Sequence, residues 1–286
     1  MRFATVLVDG ERIPVVSDSS DRWYSLPELL GLSDSSTLEE LLAKGLDQKV
    51  IRARLGNPGA GVQALVGLGN EQFGAPFLRN RKIWGIGLNY LEHASDLAES
   101  RPEQPASFIK GDHTIIGYGD EIVLPAESKR VTAEAEIGIV IGRECYKLSE
   151  GEDPFDYVFG LVPVLDQTAE DILQLNPRYL TRSKNYPTFF SFGPAILSLD
   201  EALDGRDVGD IEVKTVRNGE VVRVNTVSNM MFGPRELIRY HAAMMPLFPG
   251  DIISTGTPGA GHIRDGDVVE AQIAGFPNLV NSVRRD

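Results

Sequence analysis

The segment Thr132-Ala133-Glu134-Ala135-Glu136-Ile137-Gly138-Ile139-Val140-Ile141 constrains this chain more than any other. Its second half is an apolar, largely β-branched run, the pattern of a strand buried on both faces. Its first half carries two carboxylates two residues apart, and such residues share one face of a strand. Glu134 and Glu136 therefore point the same way beside buried sequence. Two buried like charges are costly unless something neutralises them. A divalent cation is the simplest neutraliser, and oxygen-only ligation selects Mg²⁺, Mn²⁺ or Ca²⁺ over zinc. Leu161 to Leu165 reads as a second apolar strand, and Asp166 at its end offers a third ligand. Three carboxylates around one dication leave one net negative charge and open positions for water or a chelating substrate. The spacing alone leaves a second reading open, in which both glutamates lie on the solvated face of an edge strand.

Around this segment the chain reads as strand-rich. Phe3 to Val8 and Arg12 to Val16 flank an Asp9-Gly10 turn, and Ile211 to Arg217 and Glu220 to Val224 flank Asn218-Gly219; both are hairpin signals. Lys82 to Gly87, Asp251 to Ser254 and Val268 to Ile273 read as further strands. Ser25 to Glu28 and Ser36 to Glu39 match capping boxes, so two short helices are expected there, the second ending at Gly45. Pro234 to Met244 reads as a helix. Residues 55 to 77 are rich in Gly, Ala and Pro and look like a connection, which places a boundary near Pro76. Long strands with few helices give an α+β, β-rich fold and not a parallel nucleotide-binding sheet.

Composition narrows the partners. The 286 residues are 42% hydrophobic, enough for a large core, and carry a formal net charge of −13. An acidic surface repels phosphate backbones and anionic lipid, so neither nucleic acid nor membrane is expected as a partner. No apolar run is long enough for a transmembrane helix, and the first residues lack a signal peptide's apolar stretch. The single cysteine, Cys145, fits a reducing, cytoplasmic setting. The glycines of Thr255 to Gly261 lack the Lys-Ser/Thr ending of a phosphate loop, which argues against a nucleotide site.

Several short stretches occur in a fixed order. They are Gly87-Leu88-Asn89-Tyr90-Leu91-Glu92-His93, Phe108-Ile109-Lys110, Gly117 to Pro125, Glu134 to Gly142, Asp166, Lys184 with Tyr186, Gly250-Asp251 and Thr255-Gly256-Thr257-Pro258. From about Lys82 to the C-terminus this ordered set resembles the fumarylacetoacetate hydrolase family. The resemblance implies rolled mixed sheets over residues 77–286, with residues 1–76 as a small N-terminal α+β domain. It implies a Mg²⁺-type ion held by Glu134, Glu136 and Asp166, a small anionic oxo-acid substrate, and a homodimer. His93, Asp96 and Lys184 would be catalytic; Gly87, Asn89, Tyr90, Lys110 and Thr257 would bind substrate.

The expected chemistry is hydrolysis of a C–C bond in an acylpyruvate-like 1,3-dicarbonyl acid through a metal-bound enolate. His93, oriented by Asp96, would take a proton from water. Lys184 would add fixed positive charge near the developing negative one. Decarboxylation, isomerisation or hydration of a 2-oxo acid could use the same metal site, and a binding protein on a decayed enzyme fold is a further reading. Three departures from the family pattern bear on the substrate pocket. Asp96 stands where hydrolytic members carry Glu, Glu170 where they often carry Arg, and Leu173 where some carry Gln, with Gln174 one position late.

Overall fold

Asp9 and Gly10 both adopt positive φ, 51° and 82°, the backbone that a tight hairpin requires. They join β1 (Arg2–Val8) to β2 (Glu11–Ser17). The computed structural model describes residues 1–18, 22–32, 36–79, 82–90 and 103–286. The further strands are β3 (Trp23–Ser25), β4 (Ala64–Leu65), β5 (Ile83–Gly87), β6 (Ala106–Lys110), β7 (Ile115–Ile116), β8 (Glu121–Leu124), β9 (Val131–Ile141), β10 (Val158–Ala169), β11 (Phe190–Phe192), β12 (Ala195–Leu197), β13 (Glu212–Arg217), β14 (Glu220–Thr226), β15 (Ile252–Ser254), β16 (Gly261–Ile263), β17 (Val268–Ile273) and β18 (Leu279–Arg285).

Thirteen of them form one mixed sheet, whose main path runs β4-β3-β2-β1-β12-β10-β9-β15-β5-β6. The other five form a second sheet in the order β14-β13-β17-β18-β8. Parallel pairs (β5 with β15, β7 with β11, β8 with β18) sit among antiparallel ones, so the fold is the expected β-rich α+β type. Because β1 pairs with β12, the hairpin before Pro76 extends the same sheet as the strands after it.

The central antiparallel pair, β9 with β10, is covered on both sides. On one face Ile137, Ile139, Ile141, Leu161 and Leu165 join Val213, Val269, Ala271 and Leu279 of the second sheet. On the other face Val140, Val162 and Val164 join Leu26, Leu29, Leu41 and Ile51 from the N-terminal helices. This two-sided burial is why the sequence there is apolar without alternation.

Local signals mostly land where expected. Ser25 caps the helix Leu26–Leu30 by accepting from the Glu28 amide at 3.4 Å. The second capping box is one residue later than expected: Thr37 caps the helix Leu38–Ala43 and pairs with Glu40, not Ser36 with Glu39. A third helix, Gln48–Gly56, was not expected; it buries only Ile51 and Leu55, too few apolar positions for a clear periodic signal. Helix Pro234–Met244 has the expected bounds. None of the described helices is long and apolar enough to cross a membrane.

Candidate metal centre

The β9–β10 ladder sets Val164 against Glu136, Asp166 against Glu134 and Thr168 against Thr132. Strand alternation then puts all six on one face. One carboxylate oxygen from each of Glu134, Glu136 and Asp166 falls in a group whose members lie within 4.8 Å of one another. Asp166 is fully buried, and Glu136 and Glu134 are 1% and 8% exposed. β9 is flanked by β10 and β15, so the solvated edge-strand reading is set aside. Asp166 lies within β10, three positions before its last residue Ala169, and not at the strand end as expected.

Two lysines answer this charge. Lys184 closes the helix Leu180–Lys184, and its Nζ donates to Glu134 Oε2 and Asp166 Oδ2, each at 2.9 Å. Lys110 ends β6 and is wholly buried; its ammonium donates to Asp166 Oδ1. Burial lowers Lys110 to about 8 against the opposing pull of Asp166. Burial acts the same way on Lys184, but Asp166, Glu134 and Glu136 together hold its ammonium above the ordinary lysine value. Burial, and then repulsion from Asp166, raise the Glu136 carboxyl well above the usual carboxylate range.

Glu136 is also held from β15 and the turn after it. Its Oε2 accepts from Ser254 Oγ at 2.5 Å and from the Gly256 amide at 2.8 Å. Gly256 has φ of 94°, and a Cβ there would lie 2.7 Å from Asn89 Cβ. Only glycine brings that amide to Glu136 without displacing Asn89.

The expected substrate-binding residues divide. Gly87 and Thr257 line a cavity of about 550 Å³ that also reaches Glu134 and Lys184. Asn89 does not reach into it as a free amide. Its Nδ2 donates to Phe232 O and Thr255 O, and its Oδ1 accepts from the Phe232 amide, so it braces loops. Tyr90 is buried, and its hydroxyl has no partner among the described residues. Burial, with Glu136 adding to it, raises that phenol above its ordinary range. Lys110 serves Asp166 and does not line the cavity. His93 and Asp96 lie outside the described residues.

Sequence reading missed Thr132 and Thr168. Each hydroxyl donates to Glu134 Oε1 at 3.3 Å, and both line the cavity. The available signal was strand parity: each stands two residues from a ligand candidate on the same strand. The departures at Glu170, Leu173 and Gln174 all fall on the cavity lining.

The donor set is all carboxylate oxygen, the type that hard dications take. With both lysines protonated and all three acids ionised, as ligation of a cation requires, three carboxylates and two ammoniums leave one negative charge. A dication reverses it to one positive charge, matched to a single anionic head group.

Residues 82–284 match the model of the fumarylacetoacetate (FAA) hydrolase C-terminal family. An uncharacterized protein of Methanocaldococcus jannaschii is 39% identical over 208 residues, 72% of this chain and 84% of its own length. A mitochondrial oxaloacetate tautomerase of Rattus norvegicus is 33% identical over 219 residues, 74% of this chain and 69% of its own. The structure of maleylpyruvate hydrolase from Sphingobium sp. SYK-6 in complex with manganese (II) ion and pyruvate is 26% identical. It covers all of this chain and 99% of its own, with a TM-score of 0.80. The ordered motifs, the acidic group on the β9–β10 ladder and these likenesses agree: the chain belongs to the fumarylacetoacetate hydrolase family.

Proposed function

We propose that this chain is a divalent-metal-dependent hydrolase that cleaves a C–C bond of a small acylpyruvate-like 2,4-dioxo acid. The observation that carries the reading is the convergence of Glu134, Glu136 and Asp166 on one point beside Lys184, with Glu134 and Lys184 opening onto one cavity. Mg²⁺ or Mn²⁺ would be held by those three carboxylates and would supply Lewis-acid polarisation of the substrate's oxo and carboxylate oxygens. The manganese and pyruvate held by the Sphingobium relative support that choice of ion and head group.

The chain's own groups then have distinct tasks. Lys110 and Lys184 fix Asp166 from both of its oxygens. Lys184 also brings a full positive charge to the cavity, where negative charge develops as the C–C bond breaks. Water adds to the carbonyl carbon remote from the acid group, its oxygen forming the new bond. The C–C electron pair leaves on the pyruvate fragment as an enolate. His93, the general base that the family pattern implies, takes the water proton, and the enolate carbon regains one to give pyruvate and a carboxylic acid.

The test is pyruvate release from an acylpyruvate by the purified chain with Mn²⁺. Release that stops with chelator, returns with added Mn²⁺ and disappears in Glu136→Ala is expected. A Mn²⁺-loaded protein that binds pyruvate but releases none from any acylpyruvate overturns the hydrolase reading. The name of the rat relative favours a second reading, tautomerisation of a 2-oxo acid at the same carboxylates. That reaction moves a proton but breaks no C–C bond, so keto–enol interconversion of a 2-oxo acid with no pyruvate release from any acylpyruvate would favour it over hydrolysis.

A further inference from the structure

Beyond the acidic pair, the β9–β10 ladder continues outward. Thr132 and Thr168 form the next rung. One rung further, the Glu170 amide donates to Arg130 O at 2.9 Å. Arg130 Nε donates to Glu170 Oε2 at 2.6 Å, and Gln174 Nε2 donates to Glu170 Oε1 at 3.2 Å. Glu134, Thr132, Thr168 and Glu170 all line the cavity, whereas Arg130 is half exposed and does not. At about 3.3 Å per residue, Glu170 stands about 13 Å along the ladder from the Glu134–Asp166 rung.

A ligand chelated at the acidic end would therefore run over two hydroxyls toward a carboxylate. Among the described lining residues the one cation is Lys184, and its two ion pairs are with Glu134 and Asp166. Much of the remaining lining is hydrocarbon, including Phe108, Leu173, Pro177 and Leu180. The single positive charge left once a dication is bound is used by one head carboxylate. A second carboxylate on the same ligand would meet Glu170 with no further cation among the described lining residues to pair it.

We infer that this cavity selects 2-oxo acids whose chain beyond the chelating head is uncharged, and that Glu170 is the residue that rejects a second, distal carboxylate. The inference rests on the proposed oxo-acid chemistry and adds its substrate class. Like charges set side by side are a general way to exclude a wrong ligand. The Arg130 pairing moderates the effect and gives it a handle. Removing the Glu170 charge frees the guanidinium to attract a distal carboxylate, whereas removing Arg130 leaves the rejecting charge uncompensated.

The experiment is calorimetry on the Mn²⁺-loaded chain with 2-oxooctanoate and 2-oxooctanedioate, which differ only in the second carboxylate. Wild type is expected to bind the monoacid more tightly by on the order of tenfold. Glu170→Gln should erase or invert that ratio, and Arg130→Gln should widen it. A pair with a merely structural role would move both variants in the same direction, which overturns the inference. Equal binding of the two acids by wild type, or tighter binding of the diacid, overturns it as well. Acylpyruvates with alkyl or carboxyalkyl tails give the kinetic counterpart, and the discrimination should fall in KM more than in kcat. Selective binding without turnover sinks the hydrolase reading and leaves the selectivity standing. Turnover without selectivity does the opposite, and no binding of either acid sinks both.

Discussion

Glu134 and Asp166 stand opposite each other across the β9–β10 ladder, and the Lys184 ammonium lies 2.9 Å from an oxygen of each. A directly opposed like-charged pair is normally destabilising in a sheet. Here it persists because the cations that offset it come from separate elements, a short helix and the end of β6. The site is thus a property of the assembled fold. Neither strand supplies a cation of its own to its carboxylates.

The first prediction concerns Lys110. It is wholly buried and bonds Asp166 and the Gln167 carbonyl. Lys110→Met should cost about 3–5 kcal/mol in urea unfolding under chelator, because it leaves a buried carboxylate underpaired. Saturating Mn²⁺ should return part of that loss, since an ion that binds only the native state adds stability. A loss below about 1 kcal/mol would mean that Lys184 alone satisfies Asp166.

Ser254 tests how the carboxylates are aimed. Its hydroxyl holds the same Glu136 oxygen as the Gly256 amide does. Ser254→Ala should weaken Mn²⁺ binding by about 10–100-fold in a calorimetric titration, the usual effect of removing a hydrogen bond behind a ligand. Unchanged affinity would place Glu136 outside the coordination sphere.

The ladder itself was legible in the sequence. Parity put Glu134 and Glu136 on one face, and the apolar run after them announced a central strand. The Asn218-Gly219 hairpin was equally plain, with φ of 53° and 79°. The partners of the carboxylates were not. Lys110 and Asp166 are 56 residues apart and Ser254 and Glu136 are 118 apart, so only the pairing of β6 with β5 and of β15 with β9 joins them. A Phe-x-Lys motif suggested a substrate contact for Lys110, whereas packing turned its ammonium to a carboxylate. The Arg130–Glu170 pair escaped for a similar reason. The sequence displays a lost cation at position 170, and only the ladder shows one supplied from the facing strand.

Gly256 provides a steric test of the same turn. Its φ of 94° disfavours any side chain, and an added Cβ would meet Ile86 O at 3.0 Å besides the Asn89 contact. Gly256→Ala should therefore lower stability by at least about 2 kcal/mol. It should also weaken Mn²⁺ binding, because the amide that holds Glu136 must move. Full stability with normal Mn²⁺ affinity would show that the turn relaxes freely, against the contacts described.

His241 gives a pH prediction away from the metal centre. The ring is wholly buried, 4.7 Å from the Trp84 ring, and its Nδ1 donates to Leu237 O at 2.7 Å. Its Nε2 has no partner among the described residues, so a second proton there would find no acceptor. Burial lowers its pKa below the ordinary value of 6.5, with the Leu237 carbonyl opposing only in part. Above that ordinary value both folded and unfolded chains keep the ring neutral, and the stabilisation is fully present. As pH falls below it the unfolded chain takes up the proton first, and stability is lost until the folded ring also protonates. The slope contributed is at most about 1.4 kcal/mol per pH unit. Urea unfolding of wild type and His241→Gln from neutral pH down to about pH 5 should show the wild-type advantage shrinking toward acid. Parallel losses in the two proteins would assign the acid sensitivity to the carboxylates instead.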